Sequence, residues 1–421
     1  MAFTHTATVV LSSGTEVDVF DRYTVSLDMM RAGSPWTVSM WRSETRATTW
    51  DVLRREVKAG ENLTVAIDGA AQITGRIETI ETRTSREGAM IIASGRDLGG
   101  VAETWDADPT VRLRGLALSD ALTALFAPMG IPVLITDAAA ARIVQAGTNR
   151  ASLGSRHTAR RNTSAGTHAT TRGVSTAHAR RRAQPIDRSH PRAGERVWAL
   201  AEEMCRRIGY LLWVAPSADG GIACVVDVPT FTGADVYAFT LSADPTSRAT
   251  NVRKGAEKIS IAAVPTEVNV YTGTTRGDLI SNRSRSQTFN VGLGRADVSR
   301  GLIADPMPAQ VRHIKSARAR TLAAAAQEGE RAIAEQMAGF RRYECTVQGH
   351  GQLVEGAMRL YALNTMSHVR DELATSATGE ALDESMLITS LRFDGGRGSG
   401  CTTDVVLVPK DSIQVIPQEA P

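Results

Sequence analysis

Aromatic residues are scarce, at 5% of the 421-residue chain, so its cores must be built from Val, Ile, Leu and Ala. Cysteine is limited to Cys205, Cys224, Cys345 and Cys401, and no two of them form a C-x-x-C pair. They read as small core residues of a protein kept in a reducing compartment. No apolar run reaches the 18 residues that a membrane-spanning helix needs. The nearest, Leu116 to Ile135, is interrupted by Asp120, Pro128 and Pro132. Met1 to Thr6 lacks the basic start and apolar core of a secretion signal. A soluble chain, assembled in a cytoplasm and without membrane insertion, is expected. The motifs H-E-x-x-H, Walker A and G-x-S-x-G are also missing. Nothing in the sequence marks catalytic, cofactor-binding or metal-binding residues.

What is present is ordinary globular material: 42% hydrophobic and 22% charged residues, with 36 glycines. At this length two to four domains are expected. Residues 6 to 97 are a series of short, mostly alternating apolar segments. Among them are Tyr23 to Asp28, Trp36 to Trp41, Leu63 to Ile67 and Met90 to Gly95. Period-two apolarity with Gly, Asp and Ser between segments argues a small antiparallel barrel or sandwich. Trp50 to Val57 fits a short helix within it. An α/β region follows. Ser119 can cap a helix running to Phe126, with Gly130 as its stop, before a strand at Val133 to Ile135. Val197, Leu200, Ala201, Met204 and Cys205 share one face of a helix over Gly194 to Arg207. Tyr210 to Val214 and Ile222 to Val226 form a hairpin around Asp219-Gly220-Gly221. A second β region opens near Ala249 with Ile259 to Ile261 and Glu267 to Tyr271. A polar excursion over 272–309 comes next, then a long Ala-rich helix over about Ser316 to Met337. The strands Tyr343 to His350, Met386 to Phe393 and Thr402 to Val408 close the chain.

Charge is uneven. Arg150 to Arg192 holds ten arginines, no lysine and one acid, Asp187, a charge of +9; within a total of +3 the rest carries −6. Arg160-Arg161 and Arg180-Arg181-Arg182 sit there among Thr, Ser, Ala, Gly and His, a composition that cannot bury enough apolar surface to fold alone. Three readings stand: a docking segment whose guanidinium forks pair with carboxylates, a sequence-blind contact with DNA phosphates, or a solvated loop. His157, His168, His178 and His190 lie ten to twelve residues apart, too widely for the paired ligands of a typical metal site. Asp106 and Asp108 could act as paired carboxylates but read as a solvated linker. Gly292 to Gly294 and Gly395 to Gly400 read as flexible loops.

The order of the C-terminal elements resembles the C-terminal half of contractile-tailed phage baseplate hubs. The relevant groups are Mu-like hubs, the late-control D family and the hub part of type VI secretion spike proteins. The marks are the Ala-rich helix before Tyr343 to Gly349 and Leu387-Ile388 before a final Gly- and Thr-rich strand. The helix after Gly194-Glu195 with the Tyr210–Val226 hairpin completes the set. The resemblance covers about residues 6–140 and 190–417. It implies a β-rich α+β chain with two tube-like antiparallel β-barrel domains linked by smaller α/β modules. The first barrel would span 1–105 and the linking domain 106–144 with 194–248. Residues 145–193 would be a basic insertion without counterpart, 249–417 the second barrel, and 418–421 a tail.

The function so implied is structural. The chain would be a hub of a phage tail or tail-derived contractile injection system, a homotrimer whose six barrels adapt the six-fold tail tube to a three-fold spike. Its partners would be further copies of itself, the tail tube protein and a spike supplied as a separate polypeptide. The tape-measure protein and other baseplate proteins extend that set, with DNA only in transit. No cofactor and no enzymatic activity are expected. The location would be the virion tail baseplate, after assembly in the bacterial cytoplasm. Arg160, Arg161, Arg180, Arg181 and Arg182 are the candidate docking residues. The alternatives are another tail-tip component, or a nucleic-acid-binding protein using the Arg-rich segment.

Overall fold

The computed structural model describes residues 5–17, 21–41, 47–86, 88–113, 115–136, 190–207, 209–217, 221–247, 249–261, 265, 267–272, 285–290, 310–316, 339–375, 379–396, 400–409 and 412–413, together with Gly329, Glu330, Ala332, Ile333 and Met337. The first module contains β1 (Ala7–Leu11), β2 (Glu16–Val17), β3 (Arg22–Asp28), β4 (Pro35–Trp41), α1 (Ala47–Glu56), β5 (Asn62–Ile67), β6 (Ala70–Ser85) and β7 (Gly88–Asp97). Its strands pair antiparallel in the order β3-β4-β7-β6-β5-β1-β2. The two-residue side-chain period of a strand puts Tyr23, Val25 and Leu27 on the same buried face as Trp36, Val38 and Met40.

The linking region follows with α2 (Leu98–Thr104), α3 (Leu118–Phe126), β8 (Val133–Ile135), α4 (Val197–Arg207), β9 (Leu211–Pro216) and β10 (Ile222–Asp227). Strand β10 is central, parallel to β8 and antiparallel to β9. The expected face of α4 is buried, and Trp198 meets Phe126 of α3 edge-on at 6.3 Å between ring centroids. Ser119 is not the cap of α3. Ala117 holds that position without a side-chain hydrogen bond, and Ser119 lies inside the first turn. Gly130 does end the segment, with a left-handed φ of 66° that costs a glycine little.

The remaining strands are β11 (Tyr237–Leu241), β12 (Val252–Ile259), β13 (Glu267–Thr272), β14 (Arg285–Asn290), β15 (Val311–Ser316), β16 (Arg341–Gln348), β17 (Gly351–Val354), β18 (Ala357–Leu360), β19 (Met366–Thr375), β20 (Ala381–Gly396) and β21 (Gly400–Pro409). Three sequence expectations change here. Strand β11 falls before the expected boundary at 249 yet pairs with β19. Glu267 to Thr272 does not join the large sheet. It is the centre of a separate sheet, β14-β13-β15, whose strand β14 lies inside the polar excursion. Ser316 ends strand β15 instead of starting a helix, and most of the expected Ala-rich helix lies outside the described residues. Its helical position Ile333, like Ile314 of β15, packs on Val268 and Val270 of this small sheet.

The second module runs β12-β16-β21-β20-β19-β11. Asn251 brings its two ends together: its N–H donates to the Thr240 carbonyl at 3.1 Å, and its side-chain amide donates to the Ala238 carbonyl. This order repeats that of the first module, β3-β4-β7-β6-β5-β1. The match extends to detail. Strands β6 and β20 both have 16 residues, and their partners β7 and β21 both have 10. Each long strand carries a bulge against its partner at its ninth residue, Glu78 in β6 and Thr389 in β20. The sixth strand is the exception, antiparallel in the first module and parallel in the second.

Candidate functional site

The two β modules meet at a joint. Residues Ser390 to Gly396 of β20 pair antiparallel with Asp28 to Arg22 of β3, making one 13-stranded sheet. Leu391 and Leu27 face each other across this joint, and both are fully buried. Thr24 donates to Asp394 at 2.6 Å. Gly395 lies opposite Tyr23, and a Cβ there would come within 2.3 Å of the ring. Gly395 is thus a packed strand residue and not part of a loop. Aromatic rings also lie against glycines elsewhere in the sheet. Trp36 sits by Gly75 and Gly95, and Tyr343 by Gly255.

A directed hydrogen-bond network fills the joint. The Thr403 hydroxyl donates to the Gly349 carbonyl at 2.7 Å, so at 3.0 Å it accepts from Nδ1–H of His350. That leaves His350 Nε2 to accept from the Tyr23 hydroxyl at 2.6 Å. The backbone N–H of His350 donates to His5 Nε2 at 2.9 Å, so His5 Nδ1–H donates to Asp68 at 2.6 Å. Cys401 lies 3.7 Å from the Tyr23 oxygen. Burial and the neighbouring His5 push the His350 imidazole down to about 4. Asp68 loses water by burial, yet the His5 and Thr6 hydrogen bonds hold its carboxyl below the usual range.

The network therefore requires a neutral His350. An unfolded histidine titrates near 6.5, so between about pH 6.5 and pH 4 the unfolded chain binds the extra proton and stability falls with pH, by about 3 kcal/mol. Asp97 works in the opposite sense. Its burial raises the carboxyl to about 6, so its contribution is lost as pH rises from about 3.8 to 6. A difference measurement separates the two. The stability gap between the native chain and His350→Gln is expected to shrink by about 3 kcal/mol between about pH 7.5 and pH 4. An unchanged gap in denaturant unfolding at the two pH values would contradict the assignment.

A second polar cluster pins the second module. Arg341 is 2% exposed; its Nε donates to Glu257 at 2.8 Å, and its Nη2 donates to Glu384. Tyr343 donates to Asp371 at 2.7 Å. Neither cluster is legible in the sequence. Their hydrogen-bonded side chains come from strands distant in the chain, in the joint as far apart as Tyr23 and Cys401.

The residues singled out in the sequence fare differently. Asp106 pairs with Arg196 at 2.8 Å, while Asp108 accepts from the N–H and hydroxyl of Thr110, so the two carboxylates serve separate turns. His190 contacts the Val111 carbonyl. Cys205, Cys224 and Cys345 are buried free thiols, and Cys401 is half-buried. Among the described residues there is no cluster of three His, Cys, Asp or Glu suited to a metal, and no helix long and apolar enough to cross a membrane. Arg160, Arg161, Arg180, Arg181 and Arg182 lie outside the described residues, as do His157, His168, His178 and Gly292 to Gly294.

Residues 8–97, the first β module, match the family model of the Mu phage baseplate assembly protein GpP-like N-terminal domain. No curated protein sequence matches the chain. Among solved structures, the tail protein from Neisseria meningitidis MC58 is similar over 100% of both chains, with 18% identity and a TM-score of 0.67. The 43 kDa tail protein of prophage MuSo2 from Shewanella oneidensis matches 98% of this chain and 100% of its own, with 17% identity and a TM-score of 0.65. A chain of the half-lidded Francisella PdpA–VgrG complex aligns with all of this chain over 60% of its own length, at 8% identity and a TM-score of 0.52. At these identities the structures establish the fold. The family match places the likeness to the Mu GpP-like N-terminal domain in the first β module, and the whole chain shares its fold with these phage tail proteins.

Proposed function

We propose that the chain is the baseplate hub of a phage-type contractile tail, a homotrimer that presents a pseudo-six-fold ring to the tail tube and a three-fold face to a separate spike. One barrel is drawn from residues 1–105 and the other from 249–417 together with β11. The observation that carries this reading is the repeat: six strands in one order, twice, with a bulge at the same place in both long strands. Three chains with two like modules each supply six like faces, which is what a three-fold object needs to meet a six-fold one. The role is geometric and requires no turnover. The test is the mass and shape of the purified full chain in solution and by electron microscopy. A three-fold ring with a central channel is expected; a monomer at every concentration contradicts the reading.

The five arginines Arg160, Arg161 and Arg180 to Arg182 belong to this proposal as docking residues for an acidic surface of the tube, spike or tape-measure protein. Ordering such a segment costs roughly 1–2 kcal/mol per residue fixed, so only a few anchors should be held. Replacing the five with Ser is expected to leave the β modules folded and to weaken attachment in a pull-down from assembled tails. Normal tail assembly without the segment would assign it to solvent. Duplex DNA binding that weakens steeply with salt, and is lost in the same variant, would assign it to nucleic acid.

A further inference from the structure

The repeat assigns more than a symmetry. It specifies which strands of neighbouring copies meet, and in what register. Within the chain, the second half of β20 is covered by β3. The equivalent half of β6, counted from the shared bulge, is Thr79 to Ser85. On the outer side of β6, strand β5 stops at Arg76, and Ile77 is held by Gly60 and Glu61. On that outer side no described strand lies against β6 beyond that point. The difference shows in burial. Residues Leu391, Phe393 and Gly395 of β20 are buried, whereas Glu81 to Ser85 of β6 are exposed.

The equivalent of β3 in the second module is β12. Trp36 of β4 pairs with Gly95, and Tyr343 of β16 pairs with Leu407, each at the position just before the bulge. Val25 pairs with Trp36 and Glu257 with Tyr343, which fixes the alignment of β3 with β12. Strand β12 has β16 on one side; on the other, no described strand pairs with it beyond the Asn251 contact. Its burial pattern from Arg253 onward is mostly exposed.

We infer that Thr79–Ser85 of β6 in one copy adds antiparallel to Lys254–Ser260 of β12 in the next, continuing the sheet around the ring as β20 and β3 continue it within the chain. This rests on the trimeric reading above and deepens it. Carrying the β20–β3 register across sets Ile80 opposite Ile259 and Glu81 opposite Lys258. Both pairs make chemical sense although the register was fixed without reference to side chains. Ile80 and Ile259 are half-buried and take the place of the buried pair Leu391 and Leu27. Glu81 and Lys258 carry opposite charges and are each 52% exposed in the single chain. Directly opposed unlike charges favour strand pairing, and an exposed open edge otherwise invites uncontrolled association. Charge also alternates along the two donor strands. Arg392 and Asp394 pair within β20, and Glu81 and Arg83 pair at the equivalent positions of β6 with the signs exchanged.

Opposed residues in an antiparallel pair have Cα atoms about 4.5–5.5 Å apart, within disulfide reach. The full chain with Glu81→Cys and Lys258→Cys should therefore oxidise to a covalent trimer on a denaturing gel, reversed by reductant. The pair Glu81→Cys with Lys254→Cys, four residues out of register, should not. Neither single variant should cross-link. Charge reversal offers an independent readout: Glu81→Lys or Lys258→Glu should each raise the trimer dissociation concentration about tenfold, and the double exchange should restore it. A trimer by light scattering in which the in-register cysteines fail to bridge, or the out-of-register pair bridges equally, overturns this joint and leaves the hub standing. A chain that is monomeric throughout overturns both.

Discussion

Arg341→Met is expected to destabilise the second module by about 3–5 kcal/mol, the cost of breaking a buried ion cluster by removing one member. The side chain is 2% exposed, and Glu257 beside it is 11% exposed, so water cannot take over the guanidinium's role. Glu384 is 30% exposed and retains part of its hydration, which places most of the cost at Glu257. The replacement is close in volume and apolar, so loss of packing contributes little. Denaturant unfolding of the full chain should show the shift. Adding Glu257→Gln to the same chain should recover a substantial part of it, because the stranded carboxylate is then neutral. Equal stability of Arg341→Met and the native chain would mean that the cluster is not closed to solvent.

Gly395→Ala is expected to cost about 2–5 kcal/mol. Two effects combine: a methyl group forced into a packed joint, and displacement of the Tyr23 hydroxyl from the buried His350 nitrogen. The new Cβ would lie 2.3 Å from both Cζ and the hydroxyl oxygen of Tyr23. Moving the ring away would break its edge-on contact with His350 and its contact with Cys401. Tyr23→Phe offers the control, since it removes the hydroxyl and keeps the ring. It should cost less than Gly395→Ala in the same unfolding measurement. If Tyr23→Phe costs as much, the hydrogen bond and not the ring contact dominates the joint.

The strands of the first module could be read from the sequence because each buries one face, so that Tyr23, Val25 and Leu27 alternate visibly with polar neighbours. The helix α4 was equally plain, since its apolar residues recur at three and four. Glu267 to Thr272 misled for the same reason that it folds. Its Val268 and Val270 alternate as any strand does, and period two says nothing about which sheet a strand joins. Asp394-Gly395-Gly396 has the composition of a turn, and only the opposing Tyr23 shows why glycine is required in that strand. Two like barrels are what the resemblance implies, but no residue repeat shows them, because the likeness resides in pairing and in a bulge. Trp36 and Tyr343 are equivalent by register, while the residues around them share little. The Arg-rich segment is legible as composition alone, because Leu153, Val174 and Ile186 are too few and too far apart to set a periodicity.

The joint between β3 and β20 also sets an order of events during synthesis. Asp28 leaves the ribosome long before its partner Ser390 exists. At roughly 5–20 residues per second, the wait is about 20–70 s. For that interval the nascent first module presents the pairing edge of β3, with Leu27 beside it, to whatever else is in the cell, another nascent copy included. A polysome making this chain carries several such edges close together. Premature strand exchange between neighbouring nascent chains is the hazard this topology creates, and slow closure by a contact spanning most of the polypeptide is its kinetic signature.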